Sequence, residues 1–380
     1  MTAGLSCPTV LCVVGARPNF MKIAPIYAAF ADYHNVMQPY LVHTGQHYDE
    51  AMKDSFFHQL GIPEPNVDLE VGSGSHAVQT AQVMLKFEPV LDEINPCCVL
   101  VVGDVNSTIA CSLVSVKKHI PVIHVEAGLR SRDRNMPEEI NRILTDQLSD
   151  LLFTTEASAK NNLLSEGITE SKIHFVGNVM IDSLLANLRR AVPFHQVLRE
   201  RLELMPGGIE KQGYAVATLH RPSNVDDPIV LEKIINVLRS ISEKIPVIFS
   251  IHPRTNKMIE QSRLLETNGA KNLYLLPPIP YLEMLGLMDS AKLVLTDSGG
   301  LQEETTALGV PCVTLRQNTE RPVTVDQGTN TIVGNDPDKI AACVEDILVS
   351  GGKAGNIPEL WDGKAAGRIV SIINRRYIAG

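Results

Sequence analysis

Three acidic residues in the N-terminal half of the chain follow runs of apolar residues. Asp104 comes after the run at residues 97–102, and Glu126 directly follows the run at residues 122–125. Glu139 lies 13 residues after Glu126. Such runs predict buried parallel strands, whose carboxyl ends share one sheet edge, so we expect the three carboxylates to converge there. Burial and mutual repulsion would raise the pKa of at least one of them toward neutrality. That combination is suited to proton transfer at carbon.

Each acidic residue also has a simpler interpretation. Asp104 could cap the helix that follows it. Glu126 could form a structural ion pair with Arg130 or Arg132. Glu139 stands at a predicted helix N-terminus, where acidic residues are common for electrostatic reasons. Together the three oxygens could instead hold Mg²⁺, but nearby cations make a metal redundant, and we expect no metal site.

The loop after the first apolar run carries two cations. Arg17 and Lys22 lie in this loop and in the first turn of the predicted helix after it. Backbone N–H groups at a helix start and positive side chains together suit a phosphate, although both residues could simply be solvated. The loop lacks the G-x-G-x-x-G pattern, so a dinucleotide cofactor such as NAD is not expected.

A second loop, in the C-terminal half, is suited to a diphosphate. Ser298 and the glycines Gly299 and Gly300 follow an apolar run and open a predicted helix, so backbone amides can approach an anion closely. Glu304, one turn further on, could accept hydrogen bonds from ribose hydroxyls. Arg321 supplies a guanidinium fork for a phosphate or a carboxylate. A plain Gly-Gly turn without a ligand is the simpler interpretation.

His220 follows the first apolar run of the C-terminal half. A histidine at this position can exchange protons near neutral pH, or it can be a structural residue with both nitrogens bonded.

The elements that position these residues alternate along the chain. Short apolar runs separated by amphipathic stretches predict strands at residues 10–14, 40–43, 97–102, 122–125 and 151–154, and again at 214–218, 247–251, 272–275, 293–296 and 312–315. This rhythm is typical of α/β proteins and predicts two Rossmann-like doubly wound domains facing a cleft. We place the first domain at residues 1–176, joined by a C-terminal helix at 363–380, and the second at 177–362.

Composition excludes several classes of protein. The chain has 380 residues, 44% of them hydrophobic, with 34 basic and 43 acidic residues and a net charge of -9, which favours a globular protein and disfavours a nucleic-acid-binding face. Its 7 cysteines are an odd number without metal-type spacing, which predicts reduced thiols in a cytoplasmic protein. We expect neither a signal peptide nor a membrane span.

Several motifs together resemble one family, the non-hydrolysing UDP-N-acetylglucosamine 2-epimerases. The matching segments run in order along nearly the whole chain, at residues 15–22, 44–47, 103–104, 124–130, 137–142, 220–221, 297–304 and 319–322. The sequences HVEAGLR at 124–130 and DSGGLQEE at 297–304 are the most specific.

The resemblance implies a GT-B-like fold, no cofactor, and a reaction that interconverts UDP-GlcNAc and UDP-ManNAc. UDP would leave by anti elimination to give a 2-acetamidoglucal and would add back after the sugar turns over. Asp104, Glu126, Glu139 and His220 would perform or support the proton chemistry. By position, the residues that would hold UDP are Arg17, Lys22, Ser298, Gly299, Gly300, Glu304 and Arg321.

The resemblance implies further features of the site and the assembly. The uracil would be read mainly through backbone near Ile279 and Met284. Gln46 and His47 match a pair through which some relatives bind a second substrate molecule as an activator, but Tyr48-Asp49-Glu50 differ from the activated type, so we do not expect allostery to carry over. A homodimer is expected by analogy.

Two departures from the family pattern leave the identity of the substrate sugar undecided. The chain reads His220-Arg221-Pro222-Ser223-Asn224 where many members read His-Arg-Arg-Glu-Asn, and residues 131–136 are compact. The compact segment resembles relatives that act on UDP-2,3-diacetamido sugars or their uronic acids. Three competing functions are a GT-B glycosyltransferase, a hydrolysing epimerase and a catalytically silent sugar-nucleotide sensor.

Overall fold

The computed structural model describes residues 7–45, 57, 59–202, 209–262 and 272–378. Internal contacts divide the chain into two compact units. One unit runs to Ala186 and includes the residues from Glu359 onward; the other is Asn187–Pro358. Within the described residues, no helix combines the length and apolar character that a membrane span requires.

The first unit is built on a parallel sheet in which seven described strands take part, in the order β3-β2-β1-β4-β5-β6-β7. Its strands are β1 (Thr9–Val14), β2 (Gln38–His43), β3 (Val67–Asp68), β4 (Cys98–Val102), β5 (Val122–Val125), β6 (Leu151–Thr154) and β7 (Ile173–Phe175). Its helices are α1 (Arg17–Ala29), α2 (His76–Ile94), α3 (Asn106–Lys117), α4 (Pro137–Leu148), α5 (Ala157–Ser165) and α6 (Val179–Leu188). Short 3-10 turns occupy Phe30–Tyr33 and Glu170–Lys172.

The second unit repeats this architecture with six described strands in the order β10-β9-β8-β11-β12-β13. Its strands are β8 (Ala215–Leu219), β9 (Val247–Ile251), β10 (Leu273–Leu276), β11 (Leu293–Thr296), β12 (Cys312–Thr314) and β13 (Asn330–Ile332). Its helices are α7 (Phe194–Leu202), α8 (Ile209–Gln212), α9 (Pro222–Val225), α10 (Pro228–Ser242), α11 (Pro253–Ser262), α12 (Tyr281–Asp289), α13 (Gly299–Leu308), α14 (Pro322–Asp326) and α15 (Pro337–Ser350). The last helix of the chain, α16 (Ala365–Tyr377), belongs to the first unit.

Every described strand pairing is parallel, and the predicted class of two Rossmann-like doubly wound sheets is confirmed. Parallel strands buried on both faces need continuous apolar runs, which is why those runs located the strands so well. The core strands β1, β4, β8 and β9 are almost entirely buried. The strands not predicted, β3, β7 and β13, lie at sheet edges and have only two or three residues each, too few for a recognisable run.

Strand order reverses between β1 and β4 in the first sheet and between β8 and β11 in the second. At such a switch point the connections leave toward opposite sides, so the carboxyl ends of the two strands border a crevice where ligands bind. The loops that follow β4, β8 and β11 carry Asp104, His220 and Ser298, and Lys22 lies in α1, the helix that begins shortly after β1. The topology therefore places the candidate residues where each sheet is able to bind a ligand.

The boundary between the units lies about ten residues later than the one we predict at Gly177. Helix α6 belongs to the first unit because its side chains are bonded there. The Asp182 carboxylate accepts hydrogen bonds from the backbone N–H groups of Ala365 and Ala366 at 3.2 and 2.8 Å, and Ser183 donates to the carbonyl of Met21. Asp182 thus attaches the start of α16 to α6, which holds the C-terminal helix in the first unit.

Candidate active site

The loop after β1 is fixed by Asn19, a buried residue of α1. Its Oδ1 accepts hydrogen bonds from the backbone N–H groups of Gly15 and Ala16, both at 3.1 Å. Its Nδ2 donates to the carbonyl of Val102 at the end of β4, at 2.9 Å. One side chain therefore ties together the two loops that border the switch point of the first sheet.

Lys22 and Glu126 form a buried ion pair at this edge. The Lys22 ammonium contacts Oε2 of Glu126, and the two side chains are only 6% and 5% exposed. Glu126 directly follows β5 with a φ of 71°, in the left-handed region that a residue with a side chain rarely adopts. Such strain persists where surrounding contacts hold it, and it is common at functional sites.

Gly103 makes room for this ion pair. It has a φ of 68°, and a Cβ at this position would lie 2.8 Å from the Lys22 Nζ and 3.3 Å from Glu126 Oε2. A side chain here would require the pair to shift, and the positive φ adds backbone strain for any residue other than glycine.

Arg142 of α4 connects the other two predicted carboxylates. Its Nη1 contacts Asp104 Oδ2 at 2.5 Å, and its Nη2 contacts Glu139 Oε2 at 2.8 Å. Glu139 also accepts hydrogen bonds from the backbone N–H groups of Ser131 and Arg132, both at 2.9 Å. Asp104 keeps 27% of its side chain exposed, whereas Glu139 is almost fully enclosed. Asp104 is therefore the carboxylate of this pair that a ligand can reach.

Glu139 is not the carboxylate with the raised pKa that we predict for at least one of the three. Burial raises the pKa of Glu139, but the hydrogen bond from Ser131 N–H and the interactions with Arg142 outweigh burial and hold it below its ordinary value. Glu139 is therefore an ionised group that orients Arg142 and the 131–132 turn.

The structure also decides between the interpretations of Asp104 and Glu126. Helix α3 begins at Asn106 with Val105 in the cap position, so Asp104 does not cap it. Glu126 is ion-paired, but with Lys22 rather than with Arg130 or Arg132. Among the residues that the structure describes, no group of three or more His, Cys, Asp or Glu side chains is arranged to hold a metal ion.

Arg130 takes part in a different, buried hydrogen-bond network that holds the loop after β4. His124 bonds Asp146 through Nδ1 at 2.6 Å and the carbonyl of Gly103 through Nε2 at 2.8 Å. Asp146 also accepts from Arg130 Nη2 at 2.7 Å and from the Gly128 N–H at 3.1 Å. This network fixes the position of the Gly103 carbonyl and therefore of the glycine against which Lys22 and Glu126 pack.

In the second unit, Asp297 holds the loop that carries His220. The carboxylate is fully buried and accepts hydrogen bonds from the backbone N–H groups of His220 and Arg221 and from Asn224 Nδ2, at 2.9 to 3.1 Å. It also lies 2.9 Å from His220 Nδ1. Burial raises the pKa of Asp297, but the contact with His220 and these hydrogen bonds hold it below its ordinary value.

This arrangement selects one tautomer of His220. An ionised carboxylate can only accept, so Nδ1 carries the proton that is donated to Asp297 and Nε2 is the nitrogen that can exchange a proton. The His220 side chain is 37% exposed, and its ring lies 5.8 Å from that of His252. His220 is therefore accessible and oriented rather than enclosed as a structural histidine.

The start of α13 has the features of an anion site. Ser298 is the cap residue, and its N–H donates to Thr296 Oγ1 at 3.0 Å. A Cβ on Gly299 would lie 2.7 Å from Arg321 Nη1 and 2.8 Å from Glu320 Oε1. A guanidinium and a carboxylate thus pack directly against the first turn of the helix, and a side chain at position 299 would require both to shift.

Glu320 lies at the centre of a cluster of three arginines, of which Arg316 and Arg321 are buried. Its carboxylate lies 2.7 Å from Arg321 Nη1, 2.9 Å from Arg316 Nη2 and 3.8 Å from Arg221 Nη2. Burial raises the pKa of Glu320, but Arg321, Arg316 and Arg221 lower it well below its ordinary value. Arg321 is held a second time by Glu303, at 2.8 Å from Nε. The Arg321 guanidinium is therefore fixed against the N-terminus of α13, where the helix dipole also favours an anion.

The remaining predicted residues are placed as follows. Gly300 lies in the first turn of α13 and Glu304 is buried further along the same helix. Ile279 packs in the apolar core of the second unit and Met284 packs against that core, so at Ile279 chiefly the backbone is available to a ligand. The side chain of Arg17, and the residues Gln46 and His47, lie outside the described part of the structure.

Comparison with known proteins identifies the family. A family model described as UDP-N-acetylglucosamine 2-epimerase matches residues 31–374. The chain belongs to the UDP-N-acetylglucosamine 2-epimerase family. It is 41% identical over 366 residues to a UDP-N-acetylglucosamine 2-epimerase of Methanococcus maripaludis, an alignment that covers 95% of this chain and 97% of the relative.

Further epimerases of the family match at similar levels. The UDP-2,3-diacetamido-2,3-dideoxy-D-glucuronate 2-epimerase of Pseudomonas aeruginosa is 42% identical over 90% of this chain and 92% of the relative. The crystal structure of Methanocaldococcus jannaschii UDP-GlcNAc 2-epimerase in complex with UDP-GlcNAc and UDP superposes with a TM-score of 0.86 and 43% identity, covering 97% of this chain and 99% of that one. The family resemblance seen in the sequence is thereby confirmed.

Sequence reasoning missed four residues that organise these epimerase-family loops, namely Asn19, Arg142, Asp297 and Glu320. Each stands inside a motif that was recognised, but each acts on a partner distant in the chain or through the backbone. The sequence gives an indication only at Asp297 and Glu320, where an acidic residue directly precedes a proposed anion-binding residue, Ser298 or Arg321. An acidic residue next to a phosphate site needs a cation of its own, and that need could have predicted the arginine cluster.

The ionised state of Glu139 predicts a specific dependence of stability on pH. Because its folded-state pKa lies below the unfolded value, its contribution is fully present above the unfolded pKa of about 4.3 and is lost as pH falls through the folded pKa. Glu139→Gln should therefore lower the free energy of unfolding by about 2 kcal/mol at neutral pH, and less at acid pH. Urea unfolding at pH 7, 5 and 3.5, roughly spanning that window, measures the difference.

Glu170→Gln is the matched control, since Glu170 is paired with Lys160 at 2.7 Å on the exposed surface. Solvent screens that pair, so its loss should change stability little at any pH. A Glu139→Gln protein as stable as the parent at pH 7 would contradict the assignment.

Proposed function

We propose that this protein interconverts UDP-GlcNAc and UDP-ManNAc as a non-hydrolysing 2-epimerase, through elimination of UDP to 2-acetamidoglucal and its re-addition. The observation that supports this most directly is the set of three ionisable carboxylates, each held by a cation, at the switch point of the first sheet. Membership of the epimerase family and the arginine-bordered helix start in the second unit support it further.

The first requirement of the reaction is the departure of UDP. The proton on C2 of the sugar is not acidic, so cleavage of the bond from C1 to the phosphate oxygen must lead. The start of α13, with Ser298, Gly299, Gly300 and Arg321, would stabilise the developing diphosphate charge through backbone N–H groups and a guanidinium. We assign these residues, with Arg17, Lys22 and Glu304, to UDP binding.

The second requirement is proton removal from C2 of the resulting oxocarbenium-like species and return of a proton to the opposite face. We assign this chemistry to Asp104, Glu126 and His220, with Glu139 in support. Asp104 is partly exposed beside Arg142, and His220 presents Nε2 because Asp297 holds Nδ1. Glu126 can accept a proton from carbon if substrate binding draws Lys22 toward the phosphate, which would release the carboxylate.

The proposal includes the setting in which the enzyme works. The 7 cysteines are free thiols, which is consistent with a reducing cytoplasm. A homodimer is proposed by analogy with the family alone. The identity to an epimerase acting on a 2,3-diacetamido uronate makes that sugar nucleotide the second substrate to assay.

Turnover in D₂O tests the reaction. Incubation with UDP-GlcNAc should give UDP-ManNAc with deuterium at C2, because the proton removed from carbon exchanges with solvent before another is returned. NMR of the product mixture measures both epimers and the isotope. Epimerisation without deuterium incorporation would refute the elimination mechanism, and release of free ManNAc would indicate a hydrolysing enzyme. Sugar transfer to an added acceptor, with no epimer in its absence, would indicate a glycosyltransferase.

Glu126→Gln separates proton chemistry from binding. The substitution keeps the size of the side chain but removes its basicity, so kcat should fall by about 10²- to 10⁴-fold while UDP affinity stays near the parental value. Steady-state kinetics, calorimetric titration with UDP and thermal unfolding measure the three quantities.

The control for Glu126→Gln is Glu88→Gln, which removes an exposed carboxylate that lies 3.5 Å from Lys118 in the same unit, away from the proposed site. It should retain kcat. If Glu126→Gln instead lowers the melting temperature strongly and leaves kcat intact in the folded fraction, the Lys22–Glu126 pair is structural and the assignment is wrong.

Glu320→Gln tests whether the arginine cluster serves the diphosphate. Loss of the shared carboxylate leaves three guanidiniums that repel one another, so Arg321 should lose its fixed position against Gly299. Removing one member of a buried charge pair costs about 2–5 kcal/mol, and we expect UDP affinity to fall by roughly tenfold or more. Uridine, which lacks phosphate, should be unaffected. Calorimetric titration with UDP and with uridine distinguishes the two.

The matched control for Glu320→Gln is Glu345→Gln, which breaks the exposed Lys244–Glu345 pair, remote in the second unit from the residues assigned to UDP. UDP affinity should not change in that variant. Tighter UDP binding by Glu320→Gln would mean that Glu320 acts mainly as a repelling charge, and the positioning role would be rejected.

A further inference from the structure

Two cysteines at the amino end of β4 bring their sulfur atoms together. The Sγ atoms of Cys97 and Cys98 lie 3.8 Å apart. Consecutive residues of a strand point to opposite faces of the sheet, so neighbouring side chains in a regular strand do not meet. These two meet because β4 begins at Cys98, which pairs with Val10, while Cys97 lies just before the strand.

The pair is held in place by the backbone of β1. The N–H of Cys97 donates to the carbonyl of Thr9 at 2.9 Å, and its thiol lies 3.2 Å from the same carbonyl oxygen. Cys97 is partly exposed and Cys98 is buried. A reagent from solvent can therefore reach the sulfur of Cys97 first and find that of Cys98 beside it.

The two thiols are also chemically unequal. A hydrogen bond from the Cys98 thiol lowers the pKa of Cys97 below its ordinary value, and the same bond together with burial raises the pKa of Cys98. The exposed sulfur is therefore the more readily ionised one, and thiolates are the reactive form of cysteine.

A disulfide is not the favoured product of this pair. Consecutive Cα atoms are about 3.8 Å apart across a trans peptide, whereas disulfides usually join Cα atoms about 4.4–6.8 Å apart. Closing an S–S bond here would strain a central strand of the sheet. A bridging atom that is larger and thiophilic requires much less movement, because the sulfurs are already side by side.

We infer that Cys97 and Cys98 form a dithiol site for thiophilic trivalent arsenic compounds, at the end of the first sheet opposite to the candidate active site. Soft sulfur ligands prefer soft acceptors of this kind. Two thiols and one molecule R–As=O give one cyclic dithioarsonite and one water: two As–S bonds form, the two thiol protons leave with the oxygen, and no electrons are transferred. The other five cysteines stand apart from this pair in the sequence, at positions 7, 12, 111, 312 and 343.

Phenylarsine oxide is the probe. The full-length protein is treated with it, then with excess glutathione, and its mass is measured intact; free thiols are counted in parallel. A bridged adduct should survive glutathione, a monothiol, should protect two thiols, and should be removed by 2,3-dimercaptopropanol. Cys97→Ser and Cys98→Ala should each lose the glutathione-resistant adduct, whereas Cys7→Ser and Cys343→Ser should retain it.

Cys97→Ser decides the matter even if the buried Cys98→Ala variant does not fold, because Cys97 is partly exposed and its replacement is small. Circular dichroism and thermal unfolding confirm that each variant compared is folded. An adduct that glutathione removes from the parent protein, or one that persists in Cys97→Ser, would overturn the inference. Neither result bears on the epimerase proposal, which rests on different residues.

Discussion

A buried charge needs a partner, and this requirement organises the candidate-site loops in each of the two units. A carboxylate or an ammonium transferred from water into a protein interior costs several kcal/mol unless an opposite charge or several hydrogen bonds compensate it. Here Glu126 has Lys22, Glu139 has Arg142 and two backbone N–H groups, Asp297 has His220, and Glu320 has its arginines. Each pairing joins two segments that are distant in the chain or two residues of the same loop or helix. Because every buried charge must be compensated, these pairings fix the conformations of the loops.

The topology of the sheets determines which loops are involved. In each unit the strand order reverses beside the first strand, and the loops that carry charge follow the strands on either side of that reversal. The glycines at these points have a common purpose. Gly103 leaves room for Lys22 and Glu126, and Gly299 leaves room for Arg321 and Glu320. A charged pair can thus pack directly against the backbone at the end of a strand or at the start of a helix.

The sequence predicts the architecture and the positions of the charged loops, but not their pairing. Buried strands are visible because parallel sheets need apolar runs, and short edge strands such as β3 and β13 are not, because two or three residues carry too little pattern. The sequence does not predict that the pKa of Glu139 is lowered, because its compensating groups, Arg142 and the N–H groups of residues 131 and 132, are positioned by local folding. In the same way the nearest arginines in sequence are not the partners of Glu126, whose cation, Lys22, comes from α1 on the far side of the switch point.

The arrangement of charge differs between the two units in a way that matches the proposed division of work. At the edge of the first sheet Lys22 and Arg142 are paired with three carboxylates, of which Asp104 keeps 27% of its side chain exposed. Near the start of α13 Arg221, Arg316 and Arg321 surround Glu320, and the helix dipole adds to their positive potential. Proton abstraction from carbon needs an accessible base, and a departing diphosphate needs fixed cations and N–H donors. A partly exposed carboxylate at one sheet and a fixed guanidinium beside a helix start in the other unit therefore match a substrate that gives up a proton from its sugar and carries a diphosphate as its leaving group.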